Sequence, residues 1–201
     1  MNYLQGNSVI SVCLTDGSAG GGRMYTDRQE LARLRKREAK NASEILGVSE
    51  IFFWDEPDGK LKPNKALLKK LHTLILDYQP NIIVLPSFLD DHPDHQATAE
   101  LLAQCLHTHP QKDLLCLQGE IWTPLPYWNN YVSIDSVLRV KKQAIEIFET
   151  QIRQANFLEA SLGLSRYRSV FAQHDSQFIE CFLVMKSLEY VDLWNAISEK
   201  N

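Results

Sequence analysis

The chain has 201 residues, 44% hydrophobic and 23% charged, a balance that suits one globular domain over residues 1–201 with one sizeable core. A formal net charge of −4 offers no basic surface for nucleic acid, and no apolar run approaches the roughly 20 residues that a bilayer requires, so neither a nucleic-acid partner nor a membrane span is expected. Cys13, Cys105, Cys116 and Cys181 form no CxxC pair and no basic-then-apolar leader opens the chain, which reads as reduced, buried thiols in a cytoplasmic protein.

The first element is an apolar run at 8–14 that suits a buried strand, ending in the turn-rich Asp16-Gly17 loop over 15–22. Apolar residues at helical spacing predict a helix over 27–46, with Gly47 placed as its C-terminal cap. A second strand is expected over 50–53. The Pro57-Asp58-Gly59 turn then leads to a helix over 64–78, stopped by Pro80. Residues 81–86 form the clearest strand signal and feed a polar loop, 87–91, then a helix over 93–106. Strands follow at 113–122 and 131–134, one long helix at 135–154, a last strand at 178–185 and a helix at 188–197. Strands alternating with helices define an α/β chain: a Rossmann-like three-layer fold with a mainly parallel sheet and helices on both faces.

Chemistry concentrates in Asp90-Asp91-His92-Pro93-Asp94-His95. The segment follows a buried strand and opens a helix, so it lies at the carboxyl edge of the sheet, where open α/β folds collect their ligands. Pro93 fits the first helical position, His92 the N-cap, and three-residue spacing lets both imidazoles face one opening. Two histidines and up to three carboxylates suit a zinc-type site with nitrogen and oxygen ligands, whose bound water is the nucleophile. The second histidine would protonate a leaving group or steady an oxyanion, and a carboxylate bonded to an imidazole would fix its tautomer. A polar turn that only caps a helix has the same composition. The aromatics at 122–131 fit either a wall for stacking sugars or core and rim positions, and the core reading stands first.

In order along the chain, these landmarks resemble the zinc-dependent de-N-acetylases of N-acetylglucosamine conjugates, the LmbE-like or PIG-L-like proteins. Residues 9–17 resemble that family's second strand and its TDG loop, and Arg35-Lys-Arg-Glu38 with Ile45-Leu-Gly-Val48 resemble its RxxE…LGV helix. Pro57-Asp-Gly59, Pro80 to Pro86 and His92-Pro-Asp-His95 match further motifs, as do Trp122-Thr-Pro-Leu, Val132-Ser-Ile-Asp135 with Lys141, and Glu180-Cys-Phe182. The resemblance implies that His95 binds a metal, Zn2+ or another divalent ion. It implies that His92 is the electrostatic or general-acid histidine, oriented by Asp94, and that the substrate is an amino-sugar conjugate. Arg35 is a candidate for binding substrate or bracing the site, and an exposed ion pair with Glu38 is its alternative.

The family usually opens with a strand leading into an HPDDE-like motif that completes the metal site and supplies the general base. No such motif precedes Leu14, and His72, His107, His109 and His174 have no Asp-Asp neighbour. By landmark alignment Met1 falls inside the family's first helix, so the first strand and first metal motif are expected to be missing, by truncation, by decay to an inactive relative, or because ligands come from elsewhere. The resemblance thus implies weak metal binding, little activity and open strand edges that invite a homo-oligomer. A non-catalytic remnant binding a sugar or partner protein, and another metal hydrolase such as a phosphoesterase, are the alternatives.

Overall fold

The computed structural model describes residues 7–21, 24–172 and 175–199; Met1, Gly22 at the end of the first loop, and His174 lie outside them. Two helix starts in the first half of the chain have a local cause. Asp27 accepts the N–H groups of Gln29 and Glu30 to open α1 (Arg28–Leu46), and Asn64 does the same for Ala66 and Leu67 at α2 (Lys65–Tyr78). Gly47 ends α1 in the left-handed region at φ 67°, where its N–H and that of Val48 reach back to Glu44 and Ser43.

The chain divides into two compact units, residues 1–60 with 132–180, and residues 61–131 with 181–201. In the first, β1 (Ile10–Thr15) pairs in parallel with β2 (Glu50–Glu56), and α1 packs against α4 (Leu138–Glu146) and α5 (Glu149–Ile152). Leu31, Ala42 and Ala144 are buried there. In the second, β3 (Ile82–Pro86) pairs in parallel with β4 (Leu115–Gly119), which pairs antiparallel with β6 (Ile179–Lys186). The sheet order is β3-β4-β6-β5, with β5 at Asn130–Ser133. Its core gathers Leu85, Ala99, Leu102, Leu106 and Cys116 around Tyr190, whose buried hydroxyl donates to the carbonyl of Ala99 at 2.9 Å. These residues join β3 and β4 to α2, to α3 (Pro93–Thr108) and to α7 (Ser187–Ser198).

The α/β class and the parallel pairing of β1 with β2 and of β3 with β4 follow the sequence pattern, but the strands form two sheets, one of them mixed. The helix expected over 135–154 is interrupted. A 3-10 turn at Asp135–Val137 precedes α4, and Phe148 leaves helical geometry at ψ 58° before the short α5. The cause is tertiary: the buried Glu38 on α1 accepts the Thr150 N–H at 2.9 Å and its hydroxyl at 2.6 Å, so a carboxylate from another helix caps α5. Helix α6 (Phe157–Ser169) has no counterpart in the sequence reading; its hydrophobic residues make no continuous stripe and Gly163 sits within it.

Candidate active site

After β3 the chain must turn from strand to helix, and short side-chain bonds build that turn. Ser87 is buried, and its hydroxyl accepts the Leu89 N–H at 3.1 Å. Asp90, completely buried, is the centre of the turn. Its Oδ1 accepts the His92 N–H at 3.0 Å and meets His95 Nδ1 at 2.9 Å; its Oδ2 accepts the Trp122 N–H at 3.0 Å. Its own carbonyl takes the Gln96 amide at 2.7 Å. Burial pushes the Asp90 carboxyl upward, but the N–H groups of His92 and Trp122, and then His95, outweigh burial and hold it below the ordinary 3.8. An ionised Asp90 requires a proton on His95 Nδ1, so the neutral ring turns its Nε2 lone pair outward.

His92 is the N-cap of α3, with Pro93 behind it in the first helical position. Its Nδ1 accepts the backbone N–H of Asp94 at 3.2 Å, so the proton of the neutral ring sits on Nε2. The two rings lie 4.7 Å apart between centroids with opposite tautomers, one offering a lone pair and the other a donor.

Asp94 meets His92 through this backbone N–H, while its carboxylate Oδ1 accepts the Leu61 N–H at 3.0 Å and anchors the segment before α2. A carboxylate does meet an imidazole here in the contact between Asp90 and His95. The sequence reading placed Asp90 in the motif without a role; its position two residues before an N-cap histidine is the signal that was there. Gln118 on β4 supports the turn by accepting the Phe88 N–H at 3.1 Å, while its fully buried Nε2 has no hydrogen-bond partner among the described residues.

Arg35, in the other unit, binds its own loop. Its guanidinium donates to the carbonyls of Gly17 at 2.7 Å and Gly20 at 3.0 Å, and lies 3.7 Å from the Asp58 carboxylate. Asp58 also accepts the Ala19 N–H at 2.9 Å, so the glycine loop, Arg35 and the Pro57-Asp58-Gly59 turn form one clamp. A Cβ on Gly17 would stand 2.7 Å from Arg35 Cδ, and Gly17 has φ +70°. The expected exposed pair with Glu38 does not form: the Arg35 side chain is 15% exposed and paired with Asp58, and Glu38 is buried against Thr150. Two C-terminal landmarks also hold structure together, Asp135 accepting the N–H groups of Gln177 and Phe178, and Lys141 pairing with Glu180 at 2.7 Å.

Of the aromatics after β4, Trp128 and Tyr131 are half-buried against each other, while two others do not follow the core reading. Trp122 is 60% exposed and its ring centroid lies 5.8 Å from that of His92; Tyr127 is 65% exposed. Among the described residues no group of three or more His, Cys, Asp or Glu could hold a metal ion. Among the described residues no disulfide joins the four cysteines, and no described helix is long and apolar enough to cross a membrane.

The chain is thus an α/β protein that presents two imidazoles of opposite tautomer at the carboxyl end of a parallel strand. Residues 2–106, just over half of it, match the family model of the GlcNAc-PI de-N-acetylases, PIG-L, and the chain belongs to that family. It is 30% identical over 162 residues to the diacetylchitobiose deacetylase of Thermococcus kodakarensis; the match takes in 73% of this chain and spans 60% of that relative's length. The structure of the N,N'-diacetylchitobiose deacetylase from Pyrococcus horikoshii superposes with a TM-score of 0.73 at 22% identity, covering 92% of this chain and 76% of that one. The 4-carboxy-2-hydroxymuconate hydratase from Pseudomonas putida KT2440 also superposes at 0.73, with 21% identity and coverage of 90% and 85%. Likeness at this identity shows the fold alone, and the fold carries more than one reaction.

Proposed function

We propose that this chain carries the histidine side of a metal-dependent de-N-acetylase site acting on N-acetylglucosamine-type conjugates in the cytoplasm. The observation that carries the reading is the pair of Nδ1 contacts, His95 with the Asp90 carboxylate and His92 with the Asp94 N–H, from which opposite tautomers follow. The family match and the deacetylase relative support amide hydrolysis as the reaction. In this reading His92 Nε2–H donates to the amide carbonyl oxygen as negative charge develops there. Asp90 keeps His95 in one tautomer and orientation, and Asp94 pins His92 through its backbone. Arg35 acts on the first unit's glycine loop.

A divalent metal such as Zn2+ would be held through His95 Nε2, and its chemistry would be to polarise the carbonyl and supply an activated water. The described residues do not make a complete metal centre, because one oriented imidazole is short of the three protein ligands a catalytic zinc takes. Activity of this chain by itself is therefore expected to be weak.

The test is acetate release from N,N′-diacetylchitobiose and N-acetylglucosamine, with and without added divalent metal, beside His92→Ala and His95→Ala. Slow release abolished by either variant supports the reading; release that both variants retain would overturn it. A non-catalytic sugar or protein binder is the second reading, favoured by the missing three-ligand group among the described residues. Saturable sugar binding without acetate release in any metal would decide for it.

A further inference from the structure

Beside the histidines an indole is held where core packing does not explain it. Trp122 follows β4, its side chain is 60% exposed, and Ile121 before it is 54% exposed. The exposed indole offers apolar area that a ligand's apolar face gains by covering. The backbone beneath the ring is fixed. The Trp122 N–H donates to Asp90 Oδ2 at 3.0 Å, and the Asp91 N–H donates to Thr123 Oγ1 at 2.9 Å. One buried carboxylate therefore sets both the His95 ring and the peptide from which the indole projects. The indole and the His92 ring lie 5.8 Å apart between centroids, tilted by 42°.

We propose that Trp122 is the stacking platform for a pyranose ring of the substrate and so a specificity-determining residue; the inference rests on the amino-sugar reading above. A pyranose presents an apolar C–H face that suits an aromatic surface, and polar substituents around its rim. A ring lying on the indole at van der Waals contact, about 4 Å, brings an equatorial amide substituent toward His92 Nε2–H. The platform fixes the sugar plane while the histidine addresses the amide. Because the loop is bonded to Asp90 and Asp91, the surface is preformed, which limits the ordering cost of binding.

The experiment uses the full chain, labelled with 15N, titrated with N,N′-diacetylchitobiose. The indole resonance of Trp122 is assigned by its loss in Trp122→Phe. The expected result is saturable movement of that resonance, with affinity reduced about tenfold in Trp122→Ala and mostly kept in Trp122→Phe. Cellobiose, which shares the ring faces but lacks the acetamido group, is expected to move the same resonance at higher concentration. Binding that leaves the Trp122 resonance unmoved, or equal affinity in Trp122→Ala, removes the platform and leaves the amino-sugar reading standing. Absence of sugar binding to the wild-type chain also overturns the platform, and acetate release then judges the reading on which it rests.

Discussion

Asp90 Oδ1 stands 2.9 Å from His95 Nδ1, and this contact decides which nitrogen His95 turns outward. The same oxygen takes the His92 N–H, and the second oxygen takes the Trp122 N–H, so both oxygens of this carboxylate face donors.

That arrangement predicts the effect of Asp90→Asn. Either orientation of the amide puts an NH2 group against a buried N–H donor, so at least one bond is lost and a like-dipole contact replaces it. The expected cost is about 3 kcal/mol, which for a chain of this size lowers Tm by about 10 °C. His95→Ala leaves Asp90 its backbone donors and should cost about 1 kcal/mol. Thermal unfolding of both variants checks the order; an Asp90→Asn protein as stable as wild type would mean that the carboxylate is not the hub.

The Arg35 clamp predicts non-additivity. Gly17→Ala meets Arg35 Cδ at 2.7 Å in a backbone at φ +70° and should destabilise by about 2 kcal/mol. Arg35→Ala removes two charge-assisted bonds to carbonyls and should cost about 2–3 kcal/mol. In the double variant the steric part of the Gly17 penalty disappears, so the total should fall below the sum by about 1 kcal/mol. Denaturant titrations of the four proteins measure this directly, and simple additivity would argue that the loop and the arginine are independent.

Residues close in sequence were legible, and those joined across it were not. Pro93 behind an N-cap histidine, Gly47 closing α1 and Asn64 opening α2 are local signals, and each stands where the pattern put it. The local bond of Asp90 to the His92 N–H has a sequence signal, but its hold on Trp122, 32 residues further along the chain, has none. The 135–154 helix breaks because Glu38, 112 residues before Thr150, offers its carboxylate to a new helix start. The periodicity there is helical on both sides of the break, so a spacing pattern cannot reveal it.

The Glu38–Thr150 pair is itself testable. Thr150→Val keeps the N–H bond but leaves Glu38 Oε2 without the hydroxyl that now donates to it at 2.6 Å. Burial of that oxygen predicts a loss of about 2 kcal/mol, whereas Thr150→Ser keeps the donor and should lose less than half as much. Comparable losses in the two variants would assign the effect to the methyl group instead.

Burial raises the Cys105 thiol to about 11 and the Cys116 thiol to about 12, from an ordinary 9.0. Both stay protonated at pH 8, so these two thiols should react slowly with a thiol reagent there and rapidly once the protein is denatured. The sign for stability follows: a folded pKa above the unfolded one adds stability that is complete below pH 9 and is lost as pH rises toward 11 and 12. Cys116→Ala should therefore flatten the loss of stability above pH 9, as read from urea midpoints across that range. An unchanged slope would place the alkaline loss on other groups.

Metal uptake separates the two histidines. His95 has an open Nε2, while His92 has its Nδ1 engaged by the Asp94 N–H and a proton on Nε2. Purified protein is expected to hold well under one zinc per chain, since affinity depends on a full and preformed ligand set. His95→Ala should remove what zinc is held, and His92→Ala should leave it unchanged while abolishing any acetate release. Elemental analysis of the three proteins is the check. Equal loss of zinc in both variants would show that His92 is also a ligand and that the opposite tautomers are not the working state. A full equivalent of zinc, lost only in His95→Ala, would keep the tautomer assignment and overturn the expectation of an incomplete ligand set.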